Sequence, residues 1–146
     1  MAGDEYRDVS LSPCRRYLVK VGEKLQDVER TLGQRQLIAY ASATWDWHRL
    51  HYDSEFARSA GMRAPVVDGQ MLGALLAEHA LMSVGHRAQI KRVHFRNRAP
   101  VYAGDTVRLQ GRVVALEAGI FTIEQEVMVG DEVVVSPAGS EILLDP

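Results

Sequence analysis

Residues 69–84, Gly-Gln-Met-Leu-Gly-Ala-Leu-Leu-Ala-Glu-His-Ala-Leu-Met-Ser-Val, form one long apolar run closed by Gly85 as a C-cap. Met71, Leu72, Leu75, Leu76, Ala80, Leu81 and Met82 lie on nearly every side of the helix that this spacing predicts. Such a helix must be covered by other elements rather than lie at the surface. The chain that follows has a different period. Residues 90–98 read as extended. Residues 106–115 alternate, with Val107, Leu109, Gly111, Val113 and Ala115 on one side and Thr106, Arg108, Gln110 and Arg112 on the other. Residues 120–129 place Phe121, Ile123, Val127 and Val129 together, and residues 133–144 give a last strand interrupted by Pro137 and Gly139 at a bulge or an edge. Turn residues separate these runs at 103–105, 117–119 and 130–131. One covered helix and a meander of long strands predict an α+β fold, with an antiparallel sheet wrapped around a long central helix. Gly69 and Gly73 share one face of that helix, so something approaches its backbone closely there.

The N-terminal half supplies shorter pieces. Residues 1–13 are expected to form a flexible segment, and residues 17–21 a short strand closed by Gly22-Glu23. Residues 28–32 suggest a second extended piece. Residues 36–43 carry Leu37, Tyr40 and Ala41 at helical spacing, and Asp53 is placed to cap a further helix over 54–60 that stops at Gly61. At 146 residues the chain is expected to form one domain, 1–146. A net charge of −2 gives no general reason to expect nucleic-acid or membrane binding. No apolar run approaches the roughly 20 residues that span a bilayer. The single Cys14 and the lack of a basic-then-apolar start favour a reducing, cytoplasmic location.

Between the two halves lies a crowded stretch, Thr-Trp-Asp-Trp-His-Arg-Leu-His-Tyr-Asp at residues 44–53. Imidazole changes charge nearest neutral pH, and a neighbouring carboxylate can orient or charge it. Asp46, His48 and His51 are therefore candidates for acid/base work. The alternative is a loop whose histidines bond to backbone and whose Trp45 and Trp47 fill the core, and these ten residues alone weigh the two readings evenly. Asp68 is placed to cap the long helix. The first amide N–H groups, from Gly69 onward, then lack intrahelical acceptors at the positive end of the dipole, where a carbonyl oxygen would be polarised. A base, an acid and such a donor are what chemistry next to a thioester carbonyl requires: His51 as base, Asp46 to position or activate water and orient the imidazole, His48 to share either task or orient the loop. Arg87, Lys91, Arg92, Arg96 and Arg98 form an acid-free run. Most of it reads as a solvated face, with one or two residues for phosphates such as those of coenzyme A. Asp46, His48, His51 and Asp53 match no metal-site spacing, and no metal is expected.

Asp46-Trp47-His48-Arg49-Leu50-His51-Tyr52-Asp53, Phe56-Ala57-Arg58 and Pro65-Val66-Val67-Asp68-Gly69 together resemble the hydratase signature of MaoC-like dehydratases. Pro100-Val101-Tyr102-Ala103-Gly104-Asp105 is similar to that family's Pro-Val-x-x-Gly-Asp turn. The resemblance covers most of residues 20–145. It implies a hot-dog fold, assembled as a homodimer or larger, and reversible hydration of a 2-enoyl thioester, on coenzyme A or a carrier, to the (R)-3-hydroxyacyl product, with no metal or redox cofactor. By position it makes Asp46 and His51 the catalytic pair and gives the Gly69 N–H to the thioester oxygen; His48 is assigned with Gly69 to substrate binding. Two residues depart from the family pattern: His48 stands where an Asn is usual, and Asp68 where a His often precedes the helix glycine. The His48 version is similar to the type-2 hydroxyacyl-thioester dehydratase and mesaconyl-CoA hydratase branch. A hot-dog thioesterase and a catalytically silent subunit of a paired hydratase are the competing expectations.

Overall fold

The computed structural model describes residues 19–85 and 87–144. Tyr17, Leu18, Cys14 and the expected flexible segment lie outside these. Where the end of the expected first strand is described, it forms a turn. Lys20 donates its N–H to the Glu23 carboxylate at 2.8 Å and accepts the Glu23 N–H at 3.0 Å, which bends the chain.

The elements run β1 (Val28–Thr31), α1 (Gln34–Thr44), α2 (Ser54–Ser59), α3 (Gly69–Val84), β2 (Ala88–Asn97), β3 (Thr106–Glu117), β4 (Ile120–Val129) and β5 (Glu132–Leu144). All strand pairings are antiparallel, in the order β1-β3-β4-β5-β2. The meander β3-β4-β5 forms the middle, because tight turns at Ala118-Gly119 and Gly130-Asp131 join its strands. β5 is interior rather than at an edge. The expected bulge is there: β5 skips Ser136 and Pro137 in its pairing with both β4 and β2, so the missing proline N–H leaves no gap in a regular ladder.

Alternation in the strands turns one side of the sheet toward α3. Leu72 and Leu76 meet Val107, Leu109, Val127 and Val135 at one end of the helix. Ala80 and Val84 meet Val113, Phe121, Ile123 and Ile142 at the other. Each fully buried Leu, Ile or Phe of this layer contributes about 1.5–3 kcal/mol. The helix is not enclosed all round, as its composition had suggested. Gln70, Ala74, Glu78 and Met82, spaced four apart, form an exposed stripe, and Met82 is 60% accessible. The sheet covers one face of α3 and leaves this one open.

A polar network is threaded through that core. His79 on α3 is 2% exposed. Its Nε2–H donates to the Gln26 carbonyl at 2.9 Å, which leaves Nδ1 to accept from Gln125 Nε2 at 3.1 Å. Gln125 also donates to the Leu76 carbonyl at 2.9 Å and accepts from Ser140 Oγ at 2.6 Å. These buried polar groups satisfy one another, as a low-dielectric interior requires.

The close approach expected at Gly69 and Gly73 is made by the edge strand β2. A Cβ on Gly73 would collide with the Phe95 ring, and one on Gly69 with the Asn97 side-chain amide.

Candidate active site

α1 ends when Trp45 takes left-handed backbone angles, φ 60° and ψ 25°, and its N–H closes on the Ala41 carbonyl. The next amide, Asp46 N–H, also reaches Ala41 O at 3.1 Å. This turn directs Asp46 inward and the tryptophans outward. Trp45 is 81% and Trp47 44% exposed. The alternative in which both fill the core is thus overturned: they pack edge-to-face on each other at 6.3 Å, and Trp47 does so on Tyr52 at 6.0 Å.

A 3₁₀ turn follows at Arg49–His51, capped by His48, whose Nδ1 accepts the Leu50 N–H at 3.2 Å. His48 is exposed, and its own N–H donates to Asp46 Oδ1 at 3.2 Å. His48 therefore organises the loop, with its ring centre 6.0 Å from that of His51. Asp53 caps α2 through the amides of Glu55 at 3.1 Å and Phe56 at 3.0 Å, and pairs with Arg49 at 2.7 Å. The Phe56 amide first, then Arg49, hold its carboxyl below the ordinary range.

Residues 65–67 join this loop to α3. Val66 donates its N–H to Leu50 O at 2.9 Å, and Val67 donates to Val101 O at 2.8 Å. The Val66 carbonyl lies 2.7 Å from His51 Nδ1. A carbonyl only accepts, so Nδ1 carries the proton and the imidazole's other nitrogen, Nε2, is left as an acceptor. The Val66 backbone, which no residue pattern singled out, thus does the orienting assigned to Asp46. Asp68 then caps α3, accepting the Gln70 N–H at 2.8 Å, and Gly69 opens the helix with its own N–H lacking an intrahelical acceptor.

The result brings together residues far apart in sequence. A ring nitrogen of His51 and one oxygen each from Asp46 and Asp68 lie within 4.8 Å of one another, all half-buried. Asp53 and His48 do not belong to that set. Such a set is close enough to hold a small cation, and with His51 Nδ1 bound to Val66 the other ring nitrogen, Nε2, is the one left to ligate. Tyr40 of α1 stands beside Asp68; burial, then the Asp68 charge, push its phenol up, so it remains a neutral donor.

His51 and Gly69 open onto one cleft of about 370 Å³, with Val66, Leu72, Asn97 and Arg98 among its walls. That volume suits a small acyl group with polar contacts at one end. A larger hollow of about 500 Å³ lies among Lys24, His94, Arg112, Glu124 and Glu126. His94, Arg112, Glu124 and Glu126 alternate with strand residues that face α3, so the hollow opens on the other side of the sheet, away from the candidate catalytic groups. Of the basic run, Arg92 pairs with Glu141 at 3.6 Å, while Arg98 borders the cleft and donates through Nε to Ser136 O. Asn97, like the Val66 carbonyl, is a site group that no sequence pattern singled out. Its cue was the small face at Gly69, which signalled a neighbour without naming it.

A single antiparallel sheet packed over one long helix, with titratable groups gathered where that helix begins, defines a hot-dog protein. The chain belongs to the MaoC-like domain family, whose model matches residues 18–135. It is 30% identical over 106 residues to the mitochondrial 3-hydroxyacyl-(acyl-carrier-protein) dehydratase of Arabidopsis thaliana, covering 72% of this chain and 62% of that protein. It is 27% identical to the (R)-specific enoyl-CoA hydratase of Aeromonas caviae, over 67% of this chain and 73% of that protein. Among solved structures, a chain of the ChsH1–ChsH2 complex from Mycobacterium tuberculosis superposes with a TM-score of 0.81 at 25% identity, covering 87% of this chain and 99% of the other. The relatives are thus hydratases and dehydratases of enoyl or 3-hydroxyacyl thioesters, and the present chain spans less than two-thirds of the Arabidopsis protein's length.

Proposed function

We propose that this protein reversibly hydrates a 2-enoyl thioester to the (R)-3-hydroxyacyl thioester. The observation that carries the reading is the common cleft shared by His51, whose Nε2 is left as an acceptor, and the unpaired amide end of α3 at Gly69. The thioester oxygen accepts the Gly69 N–H. In the hydration direction a water gives a proton to His51 Nε2 while its oxygen bonds to C3. The C2–C3 π pair moves toward the carbonyl, giving an enolate whose oxygen charge the helix end stabilises. The imidazolium then returns its proton to C2, so H and OH of one water are added overall and the site is restored. Asp46 holds the water, and with Asp68 offsets the charge that the ring carries between the two transfers. One C–O bond forms and two protons move with no net oxidation or reduction, and the helix end polarises the carbonyl, so the reading calls on no redox or metal cofactor; coenzyme A or a carrier arm belongs to the substrate, and Arg98, which borders the cleft, is assigned to its phosphate.

The same reading makes the protein a homodimer or larger assembly. β2 is an edge strand, with a neighbouring strand on one side only among the described residues, and a long edge strand invites pairing with another chain. No helix among the described residues is long and apolar enough to cross a membrane. The single Cys14 supports a reducing compartment such as the cytoplasm, and the Arabidopsis relative is named mitochondrial.

Incubation with crotonyl-, octenoyl- and dodecenoyl-CoA tests the activity. Loss of enoyl absorbance without free thiol is expected. Thiol release would instead identify a thioesterase, and no change with any chain length would favour a silent subunit.

A further inference from the structure

The edge strand and the long helix meet in matched steps. Phe95 and Asn97 are two residues apart on β2, about 6.6 Å along a strand and on the same face. Gly73 and Gly69 are four apart on α3, about 6 Å along a helix and again on one face. Phe95 therefore covers Gly73 while Asn97 covers Gly69. Of the Asn97 atoms, Nδ2 lies nearest the position of a Gly69 Cβ, with Cγ at 3.3 Å and Oδ1 at 3.8 Å. The amide nitrogen is thus the end of Asn97 turned to the opening of the helix. Asn97 lines the same cleft as His51 and Gly69. Among the described residues its side chain makes no hydrogen bond.

A carbonyl oxygen has two lone pairs and is held best by two donors. The Gly69 N–H supplies one, along the helix axis. We propose that Asn97 Nδ2–H supplies the second, so that the thioester oxygen sits between the backbone of α3 and the side chain of β2. This assignment rests on the hydratase reading for its chemical consequence, but it concerns carbonyl polarisation, which does not require turnover to be observed. It also gives Gly69 a second reason to be glycine, since any side chain there would displace the donor beside it.

The test uses butyryl-CoA labelled with ¹³C at the thioester carbonyl, a saturated compound that cannot be hydrated, and difference infrared spectroscopy. On binding to the wild-type protein the carbonyl band is expected to move to lower frequency. Asn97→Ala, and Asn97→Asp as a near-isostere without the N–H, should each give a smaller displacement. With crotonyl-CoA the same variants should lose about 100-fold in kcat with little change in KM, the loss expected of one oxyanion donor. A displacement of wild-type size in both variants, or none in the wild type, overturns the proposal. The two readings separate cleanly. A band shift that depends on Asn97 in a protein that hydrates none of the enoyl thioesters retains the donor and sinks the hydratase. Hydration with an Asn97-independent band does the reverse.

Discussion

His51 Nδ1 and the Val66 carbonyl lie 2.7 Å apart, and this contact ties the loop that bears the candidate base to the segment that starts α3. Val66 is itself held by Leu50 through its N–H, so the ring cannot turn without disturbing the entry to the helix. The tautomer, the direction of Nε2 and the position of the Gly69 amide are consequently set together.

If that arrangement performs proton transfer, removing either partner should stop turnover without unfolding the chain. His51→Ala and Asp46→Asn are each expected to lower kcat for enoyl-thioester hydration by at least about 100-fold, the lower range for a positioned acid/base group. Both side chains are only half-buried, so the thermal melting temperature should stay close to that of the wild type. Near-normal activity in either variant would show that the pair has been wrongly assigned.

His48 gives a contrasting expectation. Its Nδ1 accepts the Leu50 N–H at 3.2 Å as the cap of the 3₁₀ turn, a task that an asparagine carbonyl oxygen performs equally well. His48→Asn should therefore retain activity within a few-fold. His48→Ala, which has no acceptor, should weaken the loop by about 1 kcal/mol, as other cap deletions do. A dead His48→Asn enzyme with a normal melting temperature would move His48 into the chemistry.

Which parts of this were legible in the sequence follows from the range of the interactions involved. The Gly69–Val84 helix is set by local spacing, an Asp68 cap and a Gly85 stop, and its limits are those expected. The β3 and β4 alternation is equally local, and Val107, Leu109, Phe121 and Ile123 are buried on the expected faces. Two features were not local. The order of the sheet, with β2 carried past the meander to pair with β5, depends on where α3 delivers the chain. The exposure of Trp45 depends on one left-handed residue, and tryptophan is a poor signal for that conformation. Asp68 was legible as a cap, but its place beside Asp46 and His51 arises only when residues 65–68 lie between the 3₁₀ turn and Val101.

The close contact of β2 with α3 can be tested by volume alone. A Cβ at Gly73 would overlap the Phe95 ring, so Gly73→Ala should push the edge strand away and cost about 1–3 kcal/mol, the usual range for overpacking. Phe95→Leu in the same chain should recover part of that loss, because the smaller side chain makes room. Urea denaturation of the two single variants and the double variant measures the coupling. Strict additivity would mean that the two residues do not meet.

The buried network predicts how stability varies with pH. Burial pushes the His79 imidazole down from its ordinary value of 6.5, outweighing the opposing pull of the Gln26 carbonyl and Asp27. The neutral ring is also required by geometry: Nε2–H donates to Gln26, and Nδ1 must accept from Gln125, so a proton on Nδ1 would set donor against donor. The folded state therefore resists a proton that the unfolded chain accepts. Above 6.5 neither state holds it and the full stabilisation is present. As pH falls below that value the unfolded state binds more protons, and stability declines with a limiting slope of about 1.4 kcal/mol per pH unit until the folded group titrates as well. Urea midpoints at pH 7.5, 6.5 and 5.5 should drop across the lower interval. His79→Gln, which keeps a donor for Gln26 and cannot be charged, should be less stable at pH 7.5 but lose much less on acidification. An equally steep decline in His79→Gln would assign the acid sensitivity to other groups.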